Sequence, residues 1–175
     1  NGWQKQKNMK TVQGIIEESL FKFSGKKITI YGAGRTDTGV HASGQVAHFD
    51  IEESGLEDKS SKLGKLTMGV NFYLSRLSDS RASILETKKV SDEFHSRFSA
   101  KGRKYKYSIL NRRTPSPLLK DKTWRIPNPL DVKLMKNAAK HLIGKHDFTA
   151  FRSVDCQAKS PVKTIDNITI KNDGE

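Results

Sequence analysis

Apolar positions recur along the chain in short runs, and their periods predict a succession of helices and strands. Val12, Ile15, Ile16 and Phe23 fall near helical spacing, with Leu20 beside them. Thr11 stands where an N-cap belongs, and Gly25 follows Lys22 as a stop. Lys27-Ile28-Thr29-Ile30-Tyr31 alternates polar with apolar and predicts a strand. A glycine-rich turn from Gly32 to Gly44 interrupts it, and Gln45 to Ile51 resumes as a second strand. Ile51 to Ser61 is polar and acidic with a Ser-Gly break, and predicts a surface loop. Leu63, Leu66, Val70 and Leu74 then line one face of a second helix.

Further on, Ile84 to Val90 predicts a strand. Tyr105, Tyr107 and Ile109 alternate with Lys104, Lys106 and Ser108, which gives a strand with an aromatic face and a basic face. Pro115, Pro117, Pro127 and Pro129 mark an irregular connection. Asp131 to Ile143 predicts a third helix, with Leu134, Met135, Ala138 and Leu142 on one side and Gly144 after it. Ile168 and Ile170 open a last strand. Helices alternating with short, half-polar strands predict an α+β fold with antiparallel sheets, not a doubly wound parallel one. Both ends read as cut. Asn1-Gly2-Trp3 starts inside a turn-like phrase, and Asp173-Gly174 normally opens a hairpin whose returning strand would follow.

Charge changes the picture most. The 175 residues hold 32 Lys plus Arg against 19 Asp plus Glu, a net +13. Such an excess repels itself and usually serves a polyanion. From Phe94 to Lys120 there is no acidic residue. Arg97, Lys101, Arg103, Lys104, Lys106, Arg112, Arg113 and Lys120 lie there, interleaved with Phe94, Phe98, Tyr105 and Tyr107. Cations bind phosphates and rings stack on unpaired bases, so the mixture suits RNA better than a membrane surface. No apolar run is long enough to span a bilayer and no signal-peptide pattern opens the chain. With Cys156 as the single cysteine, the expectation is a cytoplasmic protein.

The segment richest in chemistry is Tyr31-Gly32-Ala33-Gly34-Arg35-Thr36-Asp37-Thr38-Gly39-Val40-His41-Ala42. Its glycines permit tight turns and close approach of backbone to a ligand. Arg35 and Asp37 sit two apart, so in an extended segment they share a face and the guanidinium can keep the carboxylate ionised. An ionised carboxylate on a bent loop is a candidate nucleophile. The plainer alternative is an Asp-Thr-Gly turn with a surface ion pair. An aspartic protease would need two carboxylates sharing one proton, which a neighbouring guanidinium disfavours. The order Gly32, Gly34, Gly39 is not a phosphate-loop spacing. His41, His48, His95, His141 and His146 are scattered, and no second cysteine completes a zinc site, so no metal is expected.

The phrase from Ala33 to Ala42 resembles the signature of TruA-type tRNA pseudouridine synthases. Gly2-Trp3-Gln4, Val12-Gln13, Gln45-Val46, His48-Phe49 and Asn71 are similar to that family's surrounding segments. Phe94-His95-Ser96-Arg97-Phe98-Ser99-Ala100 with Arg103-Lys104-Tyr105-Lys106-Tyr107 resembles its second block, and Asp147 to Arg152 a third. The resemblance covers essentially the whole chain.

It implies a pseudouridine synthase fold of two α+β halves, each resembling an RNA-recognition sheet, with the active site between them. Residues 1–98 would carry the catalytic loop, and residues 99–175 the first part of a C-terminal domain. The family's Tyr-Asp-Gly opening and its C-terminal block, with an arginine that pairs with the catalytic aspartate, are absent from this chain. The implied activity is isomerisation of uridine to pseudouridine at positions 38 to 40 of the tRNA anticodon arm. It would be carried out by a homodimer without cofactor or metal. Asp37 takes the position of the nucleophile, and Arg35 that of an arginine that helps extrude the nucleotide. Tyr105 takes that of the tyrosine touching the flipped uracil. Arg97 and Arg103 match basic positions near the cleft, with an RNA-backbone or a structural role open to each. A non-catalytic tRNA-binding module of the same fold is the alternative.

Overall fold

A computed structural model of the chain describes residues 2–51, 59–153 and 160–174. It comprises two compact units, residues 1–104 and residues 105–175. The fold is α+β, with three α-helices and short two-stranded sheets among the described residues.

In the first unit, helix α1 runs from Val12 to Ser24. Thr11, extended and 2% exposed, accepts the Gly14 amide on its hydroxyl at 3.3 Å. That satisfies one of the first-turn donors a helix leaves orphaned. Gly25 closes the helix in the left-handed region at φ 71, donating its amide to the Phe21 carbonyl. Helix α2, Lys59–Ser78, packs against α1. Val70 and Leu74 of its expected stripe are buried, with Leu63 and Leu66 half-buried. The expected loop over 51–61 therefore ends by Lys59, and residues 52–58 lie outside the described ones. Trp3, Leu20, Ile28, Ile30 and Val70 form the core, lined by Val12, Ile16, Phe49, Ile51, Leu66 and Ile84.

The expected strand over Lys27–Tyr31 keeps its alternation, with Ile28 and Ile30 buried and Lys27 and Thr29 exposed. Its ladder differs from the expectation. Strand β1 is only Tyr31–Gly32, paired antiparallel with β2, Ala47–His48. The reason lies in α1. Ile30 gives its amide to Glu17 Oε1 at 3.2 Å and its carbonyl accepts from Gln13 Nε2 at 3.2 Å. Side chains thus satisfy the backbone where a neighbouring strand would. The strand expected over 84–90 departs likewise. Asn71 holds both the amide and the carbonyl of Ile84, at 2.7 and 2.8 Å.

In the second unit, β3 is Ile109–Leu110 and pairs with β4, Trp124–Arg125. This pair is parallel, a correction to the antiparallel expectation. The intervening chain, with its 3-10 turn at Pro117–Leu119, is long enough to carry the second strand back in the same direction. Tyr105 and Tyr107 precede the ladder instead of standing in it. Helix α3, Val132–Lys140, starts on Asp131, whose Oδ1 accepts the Lys133 and Leu134 amides. It ends one turn short of Ile143, and Gly144 at φ 109 opens β5, Gly144–Asp147. β5 pairs antiparallel with β6, Val162–Ile165, in the register Gly144↔Ile165. The strand expected at Ile168 and Ile170 forms no ladder among the described residues.

Candidate functional site

The loop between β1 and β2 is built from its stem upward. Tyr31 faces His48 and Gly32 faces Ala47 in the ladder. One step on, the Ala33 amide donates to the Val46 carbonyl at 2.8 Å. The side-chain amide of Gln45 closes the next step onto the Gly34 carbonyl. The Trp3 amide donates to the Thr36 carbonyl at 2.9 Å, so the chain's N-terminal segment pins the loop's middle. Trp3 is itself buried, and its indole lies flat against Gly32, where a Cβ would come within 2.6 Å of the ring. Only glycine fits between the hairpin backbone and that ring.

Asp37 follows directly on the pinned residue. Its carbonyl accepts from the Val40 amide at 3.2 Å, closing a four-residue turn. Gly39, third in that turn, has φ 85, a conformation glycine adopts at no steric cost. Asp37, Thr38, Gly39, Val40 and His41 are all exposed, as is Arg35. The aspartate is thus presented at the tip of a loop tied at four points below it. Its carboxylate reaches open solvent in this structure.

A second segment braces the stem. Ser96, 3% exposed, donates its hydroxyl to the Tyr31 carbonyl at 2.7 Å. The Ser96 amide donates to Nδ1 of His48 at 3.2 Å, which leaves the ring proton of His48 to Nε2. His48 stacks on Tyr31 with centroids 5.2 Å apart and lies 4.5 Å from His95. His95 in turn lies 4.3 Å from Phe98, which is 77% exposed. The Arg97 guanidinium stands 5.8 Å from the Phe98 ring centre. Arg103 reaches the loop itself, donating Nη2 to the Ala33 carbonyl at 3.0 Å.

Of the residues singled out from the sequence, the first unit therefore holds Arg35, Asp37, Arg97 and Arg103, and sets Arg103 on the Asp37 loop. Tyr105 opens the second unit and is 75% exposed. Ser96 stood in the second resembling block with no role of its own, and only the fold puts it under Tyr31. No group of three or more His, Cys, Asp or Glu side chains stands at metal-binding spacing among the described residues. No helix among them is long and apolar enough to cross a membrane.

The model of a family described as tRNA pseudouridine synthase matches residues 2–70 and 138–175. The chain belongs to this family of RNA-modifying isomerases. It is 47% identical over 175 residues to tRNA pseudouridine synthase A of Wolbachia pipientis wMel, covering 99% of this chain and 68% of the relative. The enzyme of that name from Bartonella henselae is 46% identical, with the same two coverages. That from Brucella ovis is 45% identical, covering 99% of this chain and 66% of the relative.

Proposed function

We propose that this protein converts uridine to pseudouridine in the anticodon arm of tRNA, at positions 38 to 40, with Asp37 as the nucleophile. The observation that carries the reading is the 47% identity with a tRNA pseudouridine synthase A across 99% of the chain, the Asp37 loop included. The +13 charge supports a polyanionic substrate. Two RNA-recognition-like halves, a homodimer and a cytoplasmic site of action belong to the same reading.

The reaction breaks the N1–C1′ bond, turns the uracil and joins C5 to C1′. The C5 proton leaves and N1 gains one, so atoms and electrons balance without a cofactor, metal or nucleoside triphosphate. A base within the stem must first leave the stack, which costs a few kcal/mol. Contacts of the basic surface with phosphates offset that cost. Asp37 then attacks C1′ or removes a neighbouring ribose proton. Positive charge growing on the sugar is stabilised by the carboxylate, as in glycoside hydrolysis. Tyr105, exposed at the head of the second unit, stacks on the freed uracil while it rotates. Arg35 orients Asp37 or fills the space the base leaves.

The solvent exposure of Asp37 favours a second reading, a tRNA-binding module of the same fold without chemistry. One assay separates the two. Incubation with unmodified tRNA, followed by nucleoside analysis of the anticodon arm, yields pseudouridine under the first and bound but unmodified tRNA under the second.

A further inference from the structure

The stem of the Asp37 loop is held on three of its carbonyls by side chains of the first unit. Ser96 takes the Tyr31 carbonyl, Arg103 the Ala33 carbonyl and Gln45 the Gly34 carbonyl. A ladder of two residues leaves these acceptors without a third strand, and each needs a donor. Of these three side chains, Arg103 is the one from outside the hairpin that contacts it nearest the loop. Its Nη2 lies 3.0 Å from the Ala33 oxygen, and its Nε lies 3.7 Å from where a Cβ on Gly34 would stand. The guanidinium is therefore laid against the backbone at the point where the chain leaves β1 for Asp37. The planar guanidinium fixes the direction of this donor, which an ammonium on a flexible stem does not.

Arg103 could serve RNA phosphate or this backbone, and the two uses compete for the same donors. We propose that Arg103 is a positioning residue for the isomerisation, holding the exit of β1 so that the Asp37 carboxylate meets the ribose at a fixed place. The proposal rests on the reading of Asp37 as the nucleophile. Loss of the brace leaves the Ala33 amide on Val46, the Gln45 and Ser96 contacts and the Trp3 contact in place, and releases the Ala33 carbonyl where the chain leaves β1. A reacting group displaced by about 1 Å loses on the order of a hundred-fold in rate. Binding of tRNA does not depend on that displacement.

The test uses the full-length protein with unmodified tRNA. Turnover is measured at saturating tRNA, and tRNA affinity is measured directly over a range of salt. For Arg103→Ala we expect kcat to fall about ten- to hundred-fold. The tRNA Kd should stay within about two-fold, with an unchanged salt slope. Arg103→Lys keeps the charge but not the fork, and its kcat should remain depressed. A Kd weakened about ten-fold with a salt slope reduced by about one, kcat intact and Lys restoring both, would make Arg103 a phosphate contact and overturn the proposal. If circular dichroism shows Arg103→Ala unfolded, the Arg103→Lys result decides. Asp37→Asn is run alongside. Full activity there removes the nucleophile reading, whereas an inactive Asp37→Asn beside weakened Arg103→Ala binding removes only the brace.

Discussion

The Glu17 carboxylate, 8% exposed on α1, accepts the Ile30 amide at 3.2 Å and ties the helix to the segment that leads into the Asp37 hairpin. The same group accepts from Gln13 at 3.1 Å and pairs with Lys5 at 2.8 Å. A buried carboxylate is tolerated here because each oxygen has a donor. Glu17→Ala leaves the Ile30 amide without its acceptor and the Gln13 amide with the Ile30 carbonyl alone. It should cost about 1–3 kcal/mol of stability. Glu17→Gln keeps an acceptor for Ile30 and should cost less. Urea unfolding midpoints for the two variants check the order, and equal midpoints would contradict it.

The contact between Gly32 and Trp3 makes a second demand. A methyl at Gly32 would stand 2.6 Å from an indole that is itself buried, so neither can move aside cheaply. Gly32→Ala should destabilise the first unit by about 1–3 kcal/mol through overpacking. It should also shift the Trp3 fluorescence. Thermal unfolding with intact stability would show that the ring has room to move.

Much of this was legible in the sequence, but unevenly. The helix ends at Thr11 and Gly25 could be read because caps are local chemistry, fixed by residues next to one another. The inward faces of Ile28, Ile30, Val70 and Leu74 followed from period alone. Strand pairing did not. Ile30 and Ile84 have the alternation of strands, yet Glu17, Gln13 and Asn71 take their backbone groups, and nothing local announces a side chain from a distant helix. The parallel pairing of β3 with β4 is likewise set by how the connection turns, not by the two short runs. At the site, the glycine-rich loop and its aspartate stood out by composition. The Ser96 and Arg103 braces are contacts over long sequence separations and left no trace in spacing.

Asp147 offers a pH-dependent check on the second unit. Its carboxyl is held below the usual carboxylate range, first by the Thr149 hydroxyl and then by the Thr149 amide. A depressed folded-state value means its contribution is present above the unfolded-state value. That contribution is lost as pH falls through the folded one. Thr149→Val removes the stronger donor and should raise the Asp147 titration toward the ordinary range. Carboxyl carbon shifts followed by NMR between neutral and strongly acid pH measure it. An unmoved titration would mean that the hydroxyl is not the cause.

Tyr105 separates stacking from hydrogen bonding. If its ring holds the detached uracil, Tyr105→Phe should retain part of the activity and Tyr105→Leu should lose most of it. Initial rates of pseudouridine formation for the pair give the answer. Equal losses in both would assign the role to the hydroxyl.

The decisive measurement is pseudouridine formation by Asp37→Asn on unmodified tRNA, with tRNA binding measured on the same preparation. The substitution keeps the size and most of the hydrogen bonding of the side chain and removes its charge. With Asp37 as the nucleophile, binding should stay close to that of the unaltered protein and no pseudouridine should form at the anticodon arm. An Asp37→Asn protein that still forms pseudouridine would contradict that role.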